Sequence, residues 1–173
     1  PEDAARQRYA VPGRRAVRVV ITVPIDPKLV SEVVDLARRA GDAIIGVYGQ
    51  QFEVTNKADQ SPLTLADTKS HDIIVHGLQQ LTPEVPVLSE EASDIPYSER
   101  RQWQRYWLVD PLDGTKEFIN RRNDFTVNIA LIEGNVPVAG IVYAPAQRCA
   151  YVADGGRGEK LLLDPAWALE HPQ

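Results

Sequence analysis

The stretch WLVDPLDGTKEF, Trp107 to Phe118, sets two aspartates three residues apart behind an apolar run and follows the second with Gly-Thr. Asp110 closes the run and Asp113-Gly114-Thr115 opens what comes next, so both carboxylates are expected at one strand end beside backbone amides. That arrangement suits a phosphate held by a metal ion. Hard divalent cations such as Mg²⁺ take oxygen ligands and bind through a few carboxylates plus phosphate oxygens. Two aspartates alone are too few. LSEE supplies Glu90 and Glu91 at the end of another short apolar segment, and Asp67 stands at the start of a helical pattern in SPLTLAD. Convergence of these acids is therefore expected.

Each acid also has a plainer explanation. Asp67 follows Thr64 by three residues, the spacing of a capping box. Glu90-Glu91 has the makeup of a solvated loop pair. Asp110-Pro111 and Asp113-Gly114 both read as turn starters. An apolar strand that delivers two acids and then Gly-Thr is rarer than either turn, which favours the chemical reading for Asp110 and Asp113.

Two phosphate chemistries compete for this motif. Aspartyl-phosphate phosphatases carry a strand followed by Asp-x-Asp-Gly-Thr, with the first aspartate as nucleophile. Here the residue two before Asp113 is Pro111, which has no group to phosphorylate, and Asp110 lies one position too early. A metal-activated water remains as the nucleophile, one cation lowering its pKa and a paired cation clamping the leaving oxygen.

Helices and strands must bring these acids together. Asp26 as N-cap, Pro27 at the first helical position and Leu29, Val33, Leu36, Ala40, Ile44 and Val47 at helical spacing predict an amphipathic helix to about Tyr48. A second helix is expected from about Thr64 toward Gln80, with His71, Ile74, Leu78 and Leu81 inward and Pro83 as its stop. The period then changes. Val85–Leu88 and Tyr106–Asp110 read as short buried strands, and Phe125, Val127, Ile129 and Leu131 alternate with period two. Glu133-Gly134-Asn135 is a turn before VPVAGIVYA, and the glycines between Gly155 and Gly158 separate a strand around 150–153 from Leu161–Leu163. The expected fold class is α+β, two helices packed on an antiparallel meander.

Composition bounds the rest. The chain has 173 residues with 43% hydrophobic content, enough for one core, and no apolar run long enough to span a membrane. A net charge of −5 spread along the chain argues against a nucleic-acid footprint and for a small ligand. Cys149 is the single cysteine, which excludes an internal disulfide or thiolate cluster and points to a reducing compartment, the cytoplasm. His71, His76 and His171 lack ligand spacing and read as helix-surface or tail residues. Trp107 reads as core rather than as a stacking platform, and Trp103 and Trp167 carry no further signal.

KADQSPLTLAD, LSEE and VDPLDGTKEF, in this order, resemble the lithium-sensitive, Mg²⁺-dependent phosphatases of the inositol monophosphatase superfamily. DGTKEF followed by FTVNIALIEGNVPVAGIVYAPA is most similar to the 3'(2'),5'-bisphosphate nucleotidase branch, whereas the inositol monophosphatase branch more typically reads Asp-Gly-Thr-Thr-Asn-Phe. The resemblance runs from about Leu29 to about Val152. It implies that Glu90, Asp110, Asp113 and the carbonyl of Leu112 ligate a pair or more of Mg²⁺ ions, with Glu91 as a neighbouring acid. It implies that Asp67 and Thr115 activate the attacking water, with Glu90 also in the catalytic set. Leu112, Asp113, Gly114 and Thr115 would line the substrate phosphate. Lys116 and Glu117 mark the branch.

The implied reaction removes the 3'-phosphate of a small nucleotide bisphosphate, adenosine 3',5'-bisphosphate, to give AMP and clear a by-product of sulfate assimilation. The family's second domain carries a Trp-Asp-x-Ala motif that is absent from this sequence, and after Asp154 the similarity fades. The expected organisation is an arginine-rich atypical leader (1–25), an N-terminal phosphatase domain of the layered family fold (26–163) and an atypical tail (164–173), with the second domain missing. A chain of this kind is expected to be weakly active or inactive. A noncatalytic metal- or phosphate-binding fragment is the reading from a different functional class.

Overall fold

The computed structural model describes residues 25–49, 62–92, 95–155 and 157–163. The tail, and the leader up to residue 24, lie outside them. Ile25, at the leader's expected end, is buried with the core.

Helix α1 spans Pro27–Tyr48. The carboxylate of Asp26 accepts a hydrogen bond from the backbone N–H of Lys28 at 2.9 Å, capping the end at which Pro27 needs no donor. Its apolar stripe, including Val33, Leu36, Ala40, Ile44 and Val47, is buried. Arg38 pairs with Asp35 and Asp42 on the outer side. Helix α2 spans Pro62–Leu81, two residues longer at its start than the sequence predicts. Thr64 is therefore its third helical residue and not its N-cap, which removes the capping-box explanation of Asp67. Ile74 and Leu78 are fully buried, and a Cβ on Gly77 would lie 2.2 Å from Leu36 Cδ1, so α2 packs closely on α1 there and a larger residue would force Leu36 to shift.

Among the described residues six strands follow: β1 (Val87–Ser89), β2 (Arg105–Asp113), β3 (Thr126–Glu133), β4 (Val136–Ala144), β5 (Cys149–Asp154) and β6 (Arg157–Leu162). They form one sheet in sequence order. Two short helices, α3 (Tyr97–Arg100) and α4 (Thr115–Ile119), sit between strands and carry no clear periodicity of their own. Alternation buries Trp107, Val109, Val127, Ile129, Leu131, Ile141 and Tyr143 in the core that also holds the inner faces of α1 and α2. Trp107 is core, as expected, and its indole Nε1 donates to Thr82 Oγ1 at 2.9 Å.

The sheet corrects the meander in two places. β1 pairs with β2 in parallel, Val87 opposite Trp107 and Ser89 opposite Val109, while every other pairing is antiparallel. The connection through α3 returns the chain to the same end of the sheet before β2 begins. β2, moreover, does not end at Asp110 but continues to Asp113 through a bulge.

Candidate active site

The bulge sets the geometry of the DPLD segment. Asp110 is paired with Asn128 and Asp113 with Thr126, so β2 takes three steps where β3 takes two. An extra residue is accommodated without ladder pairing, and proline, which has no N–H to donate, is suited to that place. An unbroken strand would put Leu112 on the side of Asp110. Instead Pro111 and Leu112 are both buried, Asp110 is half-buried and Asp113 is exposed. Two acids of one strand are thereby turned toward one end of the sheet.

Parallel pairing brings the LSEE acids to the same end. The backbone N–H of Glu90 donates to the carbonyl of Val109 at 3.0 Å, extending the β1–β2 ladder one residue past β1. Glu90 is thereby placed beside Asp110, with Glu91 next in the turn. Helix α2 lays its N-terminal half over this end and contributes Asp67.

The electrostatics record the convergence. The carboxyl of Asp67 is pushed up to about 7, first by partial burial and then by the charges of Glu91, Asp110 and Glu90. That of Asp110 is pushed up to about 6, again by burial first, then by Glu90 and Asp113. A hydrogen bond from the backbone N–H of Leu112 pulls Asp110 the other way, and one shared with Glu90 adds to the rise. Asp67, Glu90, Glu91, Asp110 and Asp113 thus belong to one acidic field. Carboxylates so close together favour either shared protons or a bound cation. Among the described residues no three Asp, Glu, His or Cys side chains close into a finished metal cage.

After Asp113 the chain turns sharply. Gly114 has φ of +90°, and a Cβ there would sit 2.8 Å from the carbonyl oxygen of Asp124, so only glycine fits. Thr115 is the first residue of α4 and is exposed beside the acids. Phe118 of α4 is buried against Phe125 and Tyr48, with ring centroids 5.6 and 5.3 Å away, which anchors the turn to the end of α1.

Four polar residues of the site lie outside the expected set of site residues. Ser70, fully buried, donates through Oγ to the carbonyl of Pro111 at 2.7 Å. His71 Nδ1 and Ser89 Oγ are hydrogen-bonded at 2.8 Å, so His71 is a half-buried partner of the LSEE segment rather than a surface residue. The Nδ2 amide of Asn128 donates to Asp113 Oδ2 at 3.3 Å. The one available signal was spacing: Ser70 lies three residues after Asp67 and so shares its helix face. A 640 Å³ cavity over the sheet face opposite the helices runs from Glu90, Asp110 and Asn128 to Arg100, Leu108 and Val142. No described helix is long and apolar enough to cross a membrane.

Residues 26–163 match the model of the inositol monophosphatase family. The 3'(2'),5'-bisphosphate nucleotidase CysQ of Escherichia coli strain K12 is 56% identical over 135 residues, covering 76% of this chain and 54% of that protein. The CysQ of Buchnera aphidicola from Acyrthosiphon pisum is 45% identical over 145 residues, or 83% of this chain and 51% of its own. The chain spans about half the length of the curated relatives it matches. Among solved structures, CysQ from Bacteroides thetaiotaomicron superposes with a TM-score of 0.71 at 43% identity, covering 78% of this chain and 49% of that one. The extragenic suppressor protein suhB from Bartonella henselae superposes at 0.62 with 30% identity, covering 76% of this chain and 50% of its own. With the family model matched across all six strands and both long helices, and the acidic motifs in order within it, the chain belongs to the inositol monophosphatase family.

Proposed function

We propose that the protein carries the acidic half of a Mg²⁺-dependent 3'(2'),5'-bisphosphate nucleotidase site, which removes the 3'-phosphate of adenosine 3',5'-bisphosphate to give AMP and phosphate. The observation that carries the reading is the acidic field in which burial and the charges of Glu90, Glu91 and Asp113 raise the carboxyl pKa of Asp67 and Asp110. A cluster of that kind lowers its energy by taking up a divalent cation. The relatives that bear the nucleotidase name supply the substrate class.

The donor set fits Mg²⁺, because it is all oxygen and anionic. Glu90, Asp110, Asp113 and the carbonyl of Leu112 would hold the ions. When bound, they supply a water of lowered pKa and a clamp on the leaving oxygen. The remaining chemistry belongs to the chain. Asp67, with its pKa near neutrality, takes the proton of the attacking water at its carboxylate, and the hydroxyl of Thr115 orients that water. The backbone N–H groups of Gly114 and Thr115 face the phosphate oxygens. As the water oxygen bonds to phosphorus, the bond to the 3'-oxygen breaks and that oxygen takes up a proton to leave as the nucleotide hydroxyl.

The test is release of radiolabelled phosphate from adenosine 3',5'-bisphosphate and from inositol 1-phosphate, with and without Mg²⁺ and with lithium as inhibitor. Mg²⁺-dependent, lithium-sensitive release that favours the nucleotide supports the reading. A preference for the inositol ester moves the chain to the monophosphatase branch. Cation binding with no release from either ester, even on long incubation, leaves a binding fragment and rejects catalysis by this chain.

A further inference from the structure

Three residues of one helix face, Asp67, Ser70 and His71, meet three different parts of the acidic site. Asp67 adds its own carboxylate to the field, Ser70 holds the backbone of the DPLD bulge, and His71 holds Ser89 of the LSEE strand end. We infer that Ser70 and His71 are positioning residues, through which α2 fixes the two acidic segments relative to each other and to Asp67. The inference rests on the cation site described above.

The argument begins with the bulge. Pro111 and Leu112 sit where the β2–β3 ladder is out of register, so the ladder does not define the orientation of the Pro111 peptide. The carbonyl of Pro111 lies in buried surroundings, and the Ser70 hydroxyl, itself fully inaccessible, is its partner. A buried carbonyl without a partner is costly, so this hydrogen bond selects one orientation of the peptide between Pro111 and Leu112. The next carbonyl along is that of Leu112, the expected cation ligand, and the next side chain is that of Asp113. A rotated Pro111 peptide would move both.

The LSEE side is held in the same manner. Ser89 is buried at the end of β1, a strand of three residues and the edge of the sheet. Its ladder to β2 is short, and beyond it only the Glu90 to Val109 hydrogen bond continues. The contact from His71 to Ser89 fastens that end to the helix immediately before Glu90. Residues that orient metal-binding groups in this indirect way commonly change cation affinity by about 10- to 100-fold when removed.

The experiment compares the wild-type chain with Ser70→Ala, His71→Ala, His71→Asn and Ile74→Val, the last a buried apolar change about one turn further along the same helix. Mn²⁺ alone is titrated by electron paramagnetic resonance of the free ion, and amide hydrogen exchange is followed by mass spectrometry without metal. Ser70→Ala is expected to weaken Mn²⁺ binding by about 10-fold or more and to speed exchange in residues 109–115. His71→Ala should act likewise on residues 88–92, and His71→Asn, whose amide reaches the position of Nδ1, should restore much of the loss. Ile74→Val should change neither. Wild-type behaviour of Ser70→Ala and His71→Ala in both measurements overturns the inference. Absence of Mn²⁺ binding by the wild-type chain rejects the cation site instead, and local exchange then decides the positioning role: segment-specific acceleration sustains it and uniform or unchanged exchange overturns it.

Discussion

The side chain of Asn128 donates to Asp113 at 3.3 Å although the sheet pairs Asn128 with Asp110. One residue of β3 therefore stands next to both aspartates of the motif, which is possible only because the bulge draws Asp113 back along β2. The DPLD segment is a shaped unit, and its parts are expected to respond separately to substitution.

Asp113→Asn keeps the size of the side chain and removes its charge. If Asp113 is a cation ligand, Mg²⁺-dependent phosphate release falls by about 100-fold or more, since the two-ion arrangement loses an anionic ligand. The melting temperature in the absence of metal should stay the same or rise, because a charge leaves the acidic field. Unchanged release at saturating Mg²⁺ rejects the ligand role.

The pH dependence follows from the raised carboxyls. Asp67 and Asp110 have folded values of about 7 and about 6 against an ordinary 3.8. The folded state holds their protons more tightly than the unfolded chain, so their contribution is full below about 4 and is lost as pH rises through about 6 to 7. Without divalent cations the chain is expected to lose thermal stability between about pH 4 and about pH 7, the interval between the unfolded and folded values, and Asp67→Asn to flatten that loss. Mg²⁺ should raise the melting temperature more at the alkaline end, where the carboxylates are ionised. Scanning calorimetry across this range checks both; a Mg²⁺ shift that is larger at the acid end reverses the sign and refutes the account.

Gly114→Ala meets two obstacles. The residue would have to keep φ at +90°, and its Cβ would press to 2.8 Å on the carbonyl oxygen of Asp124. A destabilisation on the order of 1–3 kcal/mol is expected from the strained backbone, together with displacement of Thr115. Urea unfolding measures it, and a loss below about 0.5 kcal/mol would show that the turn relaxes freely.

Thr82→Val tests the core rather than the site. The hydroxyl of Thr82 accepts from the Trp107 indole and donates to the carbonyl of Leu78 at 3.1 Å. Valine has nearly the same shape and leaves a buried N–H without a partner, which costs about 1–3 kcal/mol. Mn²⁺ affinity should be unaffected. An equally stable variant would indicate that the indole finds another acceptor.

Local patterns were enough for much of this protein. Asp26-Pro27 and the heptad-like apolar spacing define α1 because capping and burial are decided within a few residues of sequence. The alternation of Val127, Ile129 and Leu131 defines β3 for the same reason. The acidic motifs, their order and the class of chemistry they suit were readable because phosphate and metal chemistry restricts residue type. What the sequence left open was direction and register. VLS is a strand of three residues, too short to show whether it runs parallel or antiparallel to its neighbour, and an antiparallel β1 would have put Glu90 at the far end of the sheet from Asp110. Nor does Pro111 reveal whether it ends a strand or occupies a bulge within one. Strand direction and bulge placement are settled by pairing partners distant in sequence and by helix α2 packed across them, so the tertiary structure alone decided that Asp67, Glu90, Asp110 and Asp113 share one field and that Ser70 and His71 stand behind it.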